Sequence, residues 1–285
     1  MPIETRPLSH AVGAEILGVD IAAEPDDATI AAIRQALVEN CVILFRDQDL
    51  THEQQIAFSR RFGELPHYPA LARELHPDHP EVWVLTNERQ PDGSPSPTLG
   101  TGRVWHSDQS FMAEPAMGSL LYCKAAPRAG GTTMFANMYK AYETLPEPLK
   151  KMVEGRRAEH NLNTTAAYRA RHPNRTAEDE AKTPPVMHPI VRTHPETGRK
   201  ALYVSEGITS RIEGLSAEES AVLLGLLNRH ATHPTLTYRH HWRVDDLIFW
   251  DNRCVLHYAP QDLDHDAPGN RRLMYRTTIA GDAPY

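Results

Sequence analysis

Short runs of β-branched and aromatic residues, closed off by turn residues, recur along most of this chain and leave little choice of architecture. Residues 82–85, 119–123, 132–136, 189–192, 201–204, 236–242, 247–250 and 273–279 all have this character. So many short strands predict a sandwich or barrel. Helices are fewer. Ile30, Ile33 and Leu37 recur at helical spacing after Asp26-Asp27, and the continuous apolar run 41–45 then reads as a buried strand. Thr51 with Gln54 makes a capping-box pattern and Gly63 sits where a C-cap would, so 52–62 reads as a helix. Helices are also expected over 138–153 and over 216–231, the latter opened by Ser216 and Glu219. The fold class is mainly β with peripheral helices (α+β).

No repeat, low-complexity stretch or Pro/Gly-rich linker divides the 285 residues, so one domain over 1–285 is expected. Residues 161–185 are polar and lack apolar periodicity, which predicts a mobile lid over a site. The net charge of -7 comes without any basic block, which argues against nucleic acid, since phosphate neutralisation needs clustered Lys and Arg. No apolar run approaches the roughly 20 residues needed to span a bilayer. The N-terminus shows no basic flank and apolar segment of a secretory signal, so a cytoplasmic protein is expected. Cys41, Cys123 and Cys254 are odd in number and lie in apolar settings, which fits buried free thiols. The expected partner is a small molecule.

In Trp105-His106-Ser107-Asp108 an imidazole and a carboxylate stand two positions apart, and on extended backbone both reach the same side. An isolated H-x-D is more often a surface or capping pair, and His76-Pro77-Asp78 repeats the spacing in a hydrophilic, proline-broken setting. His106 and Asp108 differ in being flanked by Trp105 and Phe111, which can wall a pocket. His257, after the strand-like run 253–256, is the best third ligand, although taken alone it reads better as a satisfied core histidine hydrogen-bonded to backbone. Two histidines and one carboxylate leave faces of an octahedron open, as in non-haem Fe(II) oxygenases. Alternation along the last strand puts Arg272, Met274, Arg276 and Thr278 on one face. Two arginines lining an interior call for an anion, and a carboxylate is the natural partner; on an edge strand they would simply be solvated.

At these residues the chain resembles the taurine dioxygenase and 2,4-dichlorophenoxyacetate dioxygenase family. The likeness runs nearly end to end. It takes in Gly13-Ala14-Glu15-Ile16, Arg61-Phe62-Gly63-Glu64-Leu65, Trp105-His106-Ser107-Asp108, Gly130-Gly131-Thr132-Thr133, His188-Pro189-Ile190-Val191-Arg192, Trp250-Asp251-Asn252-Arg253 and Met274-Tyr275-Arg276. The resemblance implies a double-stranded β-helix, or jelly roll, with Fe(II) held by His106, Asp108 and His257. It implies 2-oxoglutarate and O2 as co-substrates, with Thr133 and Arg276 on the distal carboxylate of the oxoacid and Arg272 nearby. The implied reaction hydroxylates a C–H bond beside a heteroatom and releases succinate and CO2. Homo-oligomers, dimer or tetramer, are usual in such a family.

Where taurine dioxygenases carry a His and an Asn for the amino-sulfonate, this chain has Tyr68 and Gly102, so taurine is not the expected substrate. The resemblance points instead to a small anionic organic substrate, a sulfonate, sulfate ester or aryloxyalkanoate, with Arg276 also touching its anion. Tyr68, Gly102, Thr165 and Tyr203 are expected to line its pocket. Two other readings compete: a Zn-dependent hydrolase on the same three ligands, and a non-enzymatic jelly-roll anion-binding protein. Neither explains Thr133 and Arg276 together with the ordered motifs.

Overall fold

A computed structural model of the chain describes residues 3–66, 74–165, 169, 176–181 and 183–285. Its strands in chain order are β1 Glu4–Pro7, β2 Ala14–Leu17, β3 Val42–Phe45, β4 Trp83–Thr86, β5 Gly118–Ala125, β6 Thr133–Asn137, β7 Arg157–His160, β8 Val186–Pro189, β9 Val191–Thr193, β10 Lys200–Leu202, β11 Thr209–Ile212, β12 Thr237–His240, β13 Leu247–Asp251, β14 Val255–Tyr258 and β15 Leu273–Ile279. The helices are α1 Asp27–Asn40, α2 His52–Arg60, α3 Met138–Glu143, α4 Glu147–Val153, α5 Ala177–Ala181 and α6 Ala217–Ala231. Among the described residues no helix is long and apolar enough to cross a membrane.

Seven strands form one sheet in the order β1-β2-β3-β13-β5-β15-β4, and three small sheets hold β12-β6-β14, β11-β7-β8 and β10-β9. Successive side chains point to opposite faces of a strand, and here both faces are apolar. Val42, Leu44, Leu121, Cys123, Ile248, Trp250 and Met274 share one core with Phe135, Ala136, Val255 and Leu256 of β6 and β14, and with Leu223 and Leu227 of α6. Ile43, Phe45, Leu120, Tyr122, Leu247, Phe249 and Ile279 share the other with Ile30, Ile33 and Leu37 of α1 and Phe58 of α2. The large sheet is therefore a middle layer, and its inner face looks onto the small sheets. Removing one such ring, for example by Phe249→Ala, costs about 3–5 kcal/mol.

The three caps read from sequence are formed: Asp26 accepts from Thr29 N, and Thr51–Gln54 and Ser216–Glu219 close as capping boxes. Other boundaries differ. The helix expected over 138–153 is two, α3 and α4, because Pro146 cannot continue a helix and instead caps α4. Likewise 189–192 is split at Ile190, whose N–H bonds Arg156 O (3.0 Å) while its carbonyl accepts from Tyr203 N (2.7 Å), so the chain changes sheets there. Helix α2 ends at Arg60, leaving Gly63 outside its cap. Strands β1, β2, β7 and β11 were not foreseen. Part of the expected lid, 166–168, 170–175 and 182, lies outside the described residues. Its described parts are a 3-10 turn, Leu162–Thr164, and α5. All three cysteines are buried and free.

Candidate metal centre

His257 stands on β14 opposite Phe135 of β6, and His106 pairs with His257 as an isolated antiparallel bridge. His106 N donates to His257 O (3.0 Å) and His257 N to His106 O (2.8 Å). Residues directly opposite in such a pair project to the same face, so the two imidazoles lie side by side with ring centres 4.1 Å apart. Only His106 is held extended. The chain then turns, with Gln109 at φ +57°, and Asn252 fixes the turn: its carbonyl accepts from Ser107 Oγ (2.6 Å) and its Oδ1 from Asp108 N (3.1 Å). Asp108 Oδ1 thereby comes 3.8 Å from His106 Nε2 and 3.7 Å from His257 Nε2. The ligand atoms of the three residues all lie within 4.8 Å of one another.

His106 and Asp108 are oriented by hydrogen bonds, whereas His257 is held by ring packing, its Nδ1 buried with no hydrogen-bond partner among the described residues. His106 Nδ1 lies 2.8 Å from Val104 O, which can only accept, so the proton is assigned to Nδ1 and the Nε2 lone pair is free. Asp108 Oδ2 accepts from Ser119 Oγ (2.7 Å), Ser119 Oγ accepts from Asn252 Nδ2 (3.2 Å), and Asn252 Oδ1 accepts from Trp250 Nε1 (2.9 Å). The Trp250 ring packs 4.8 Å from that of His257. Arg276 Nη1 donates to Asp108 Oδ1 (3.1 Å), and the guanidinium lies 4.8 Å over the Trp83 ring, its Nε buried without a hydrogen-bond partner among the described residues.

The charges follow from these contacts. Burial alone would raise the Asp108 carboxyl, but Arg276, His257, His106 and the Ser119 hydroxyl together hold it well below the ordinary carboxylate range. Burial, then the neighbouring His106, lowers His257 to about 3, and burial likewise lowers His106. Two neutral imidazoles and one carboxylate are the protonation states a divalent ion needs in its ligands.

The other expected residues fall in two groups. On β6, Thr133 is two residues from Phe135 and so shares its face with His257. The Thr133 hydroxyl accepts from Trp242 Nε1 (3.0 Å), which leaves its own proton to donate. Arg272 Nε donates to Gly131 O (3.3 Å), two residues from Thr133, and burial lowers its guanidinium below the usual value. Met274 of β15 joins the inner core, which places Arg276 and Thr278 on that same face, as the alternation predicts. Gly102, at φ +72°, lies against the ligand ring: a Cβ there would be 3.5 Å from His106 Cε1. Thr165 and Tyr203 have other partners. The Thr165 hydroxyl donates to Gly207 O (3.0 Å), and the buried Tyr203 ring stacks on His160 at 5.5 Å. Tyr68 lies outside the described residues.

A second group of potential ligands, His194, Asp251 and Cys254, also converges among the described residues. It is already self-satisfied. His194 Nδ1 accepts from Glu196 N and Thr197 N (3.2 and 3.3 Å), which puts the proton on Nε2, and Nε2 donates to Asp251 Oδ2 (3.0 Å). Arg253 takes both Asp251 oxygens (2.8 and 2.7 Å), so no carboxylate lone pair is left aimed at an ion. Sequence reasoning missed the supporting roles of Val104, Ser119, Trp242 and Asn252. Asn252 stood in a recognised motif, but nothing local marks Ser119, which reaches Asp108 only through the pairing of β5 with β13.

Residues 4–278 match the family model described as taurine catabolism dioxygenase TauD, TfdA family. The chain is 36% identical over 286 residues to the (S)-phenoxypropionate/alpha-ketoglutarate-dioxygenase of Sphingobium herbicidovorans, covering 98% of this chain and 95% of that one. It is 32% identical over 297 residues to the alpha-ketoglutarate-dependent sulfate ester dioxygenase of Pseudomonas putida, covering 100% and 91%. The crystal structure of AAD-2 in complex with Mn(II) and N-oxalylglycine superposes with a TM-score of 0.86 at 32% identity, covering 100% of this chain and 98% of that one. With a family model spanning nearly its whole length, the chain belongs to the taurine catabolism dioxygenase TauD, TfdA family and is an oxidoreductase.

Proposed function

We propose that this protein is an Fe(II)- and 2-oxoglutarate-dependent dioxygenase. It hydroxylates a C–H bond next to a heteroatom in a small anionic organic substrate, such as a sulfonate, sulfate ester or aryloxyalkanoate. The observation that carries this reading is the meeting of His106, Asp108 and His257 on the inner face, with Arg276 against Asp108 and Thr133 on the face of His257. The donor set of two neutral imidazoles and one carboxylate fits an ion that keeps positions open for a co-substrate. His106, Asp108 and His257 would hold the iron. Bound there with the oxoacid, iron supplies the activation of O2, coupling insertion of one oxygen atom into the C–H bond to decarboxylation of 2-oxoglutarate to succinate and CO2.

The chain's own residues bind, orient and exclude water. Thr133 donates a hydroxyl proton and Arg276 a planar pair of N–H groups to the distal carboxylate of the oxoacid, with Arg272 as a further cation; this set is more selective than a lone charge. Ser119 and Asn252 keep Asp108 from turning, and Trp250 shields the His257 side. Gly102, against the His106 ring, borders the substrate side, and Arg276 also meets the substrate anion. The substrate class rests on the names of the phenoxypropionate and sulfate ester relatives, and the metal-with-oxoacid pairing on the Mn(II) and N-oxalylglycine neighbour. The facing sheets are read as a double-stranded β-helix, residues 1–285 as one cytoplasmic catalytic unit, and 161–185 as its lid. A dimer or tetramer is expected; the exposed apolar strip of Met152, Val222 and Leu226 on α4 and α6 offers a surface for it.

The test is succinate formation from 2-oxoglutarate with Fe(II), O2 and a panel of sulfonates, sulfate esters and aryloxyalkanoates. One succinate per hydroxylated product with a member of the panel is expected. No oxoacid decarboxylation with any of them, in iron-loaded and folded enzyme, would refute the reading.

A further inference from the structure

Helix α6 carries an outer face that the metal centre does not use. Its inner side packs Leu223, Leu224 and Leu227 into the core. Outside stand Glu218, Val222, Leu226 and Arg229, all exposed, and at 3.6 residues per turn they fall within an arc of about 80°. Val222 is 65% and Leu226 39% exposed, and with Met152 of α4 and Leu215 they line one shallow apolar hollow. Among the described residues neither Glu218 nor Arg229 is in an ion pair.

The face contains a residue that the fold itself does not explain. Gly225 borders it in the middle of α6, where glycine is less favourable than alanine. A Cβ there would meet only Arg229 Nη1, at an ordinary 3.5 Å, so nothing within the chain requires a bare backbone. A close approach from outside does.

Read from end to end, the face runs acid, apolar, glycine, apolar, base, and it complements its own reverse. Glu218 and Arg229 are about 16 Å apart along the helix axis, too far to pair with each other. The midpoint between them and the midpoint between Val222 and Leu226 coincide to half a residue, about 0.8 Å. One two-fold axis through that point therefore serves both pairs, as an isologous contact needs. Acid in the first turn and base in the last also suit the dipole of a lone helix, but the dipole gives no reason for an exposed Val222 and Leu226 between them.

We infer that α6 is a two-fold contact for a second copy of this chain, the two helices antiparallel, with Val222 on the partner's Leu226 and Glu218 beside the partner's Arg229, each pairing made twice. The inference rests on the reading of the protein as a dimer or tetramer and gives that assembly a surface and a symmetry. One helix with the edge of α4 is a small contact among specific interfaces, so the pair dissociates on dilution.

The test is sedimentation velocity of the full chain over a range of concentrations, in wild type, Glu218→Arg, Arg229→Glu, an equimolar mixture of these two variants, and Leu226→Lys. All the substituted side chains are exposed, so the variants should fold; thermal melts check this. Wild type should self-associate reversibly. Each charge reversal sets like charges against each other twice and should weaken association roughly tenfold or more, as should Leu226→Lys. In the mixture every contact is again between opposite charges, so heterodimers should form where neither variant alone pairs. A wild type that stays monomeric throughout, its α6 face then open to solvent or to another protein, would overturn both the expected assembly and this contact. Association that is unchanged in all three variants, or a mixture that pairs no better than its components, would overturn this contact alone. Sedimentation does not depend on turnover, so the dioxygenase reading stands or falls separately.

Discussion

Ser119→Ala removes one hydroxyl from the interior of β5 and tests whether the carboxylate of the candidate centre is held by its surroundings. Ser119 is fully buried opposite Trp250, donates to Asp108 Oδ2 (2.7 Å) and accepts from Asn252 Nδ2 (3.2 Å). A hydrogen bond to a charged acceptor is worth about 1.5–3 kcal/mol, and a buried donor left unpaired costs about 1–3 kcal/mol. The two losses act on different observables. Asn252 Nδ2 loses its acceptor in the folded state, so thermal stability should fall by several degrees, at roughly 2–4 °C per kcal/mol. Asp108 remains ionised, because Arg276 still donates to Oδ1 (3.1 Å) and both imidazoles remain close. What it loses is a fixed orientation, and removal of such an outer partner typically lowers metal affinity 10–100-fold. The assay is anaerobic Fe(II) titration with a competing chelator, beside thermal melts of both proteins. Because orientation and not charge is at stake, the affinity ratio should be the same at pH 6.5 and 8. An Fe(II) affinity within twofold of wild type, in a variant that melts lower, would show that Ser119 only packs the sheet and would refute the reasoning.

Arg276→Lys keeps a cation near Asp108 but loses the planar fork, so the KM for 2-oxoglutarate should rise roughly tenfold or more, measured by succinate release, while the fold is retained. Burial, then the nearby His188, lowers His160 to about 3, so the unfolded chain takes up a proton that the folded chain refuses between about pH 6.5 and 3. Stability should therefore fall with decreasing pH across that window, by up to about 1.4 kcal/mol per pH unit for this group, and His160→Gln should flatten the slope of Tm from pH 7 to 5. Asp251→Asn breaks the buried pairing with Arg253 and His194 and should cost about 3–5 kcal/mol in a denaturant melt. Gly102→Ala forces a side chain into φ +72°, a penalty of about 1–2 kcal/mol in chemical denaturation.

Elements with strong periodicity or cap chemistry were legible in the sequence: the apolar face of α1, the capping boxes of α2 and α6, and the alternation along β15 that put Arg276 and Met274 on one face. Strands with neither were not. Glu4–Pro7 is exposed at all four positions, and Arg157–His160 carries Arg, Glu and His in a four-residue strand, so their partners decide their state. The reading of 138–153 as one helix leaves out Pro146, whose missing N–H and fixed φ divide it. For the candidate site, sequence supplied the residue types but not their support, because Ser119 and Asn252 meet Asp108 only after strands far apart in the chain are paired.

The central claim is that His106, Asp108 and His257 hold iron together with 2-oxoglutarate. Anaerobic titration of the apoprotein with Fe(II) and 2-oxoglutarate, in wild type and in His106→Ala, tests it most directly through the weak visible absorption of an Fe(II)–oxoacid chelate. The account predicts a saturable band in wild type that is absent in His106→Ala. A wild type loaded with iron that shows no band on addition of 2-oxoglutarate would contradict it.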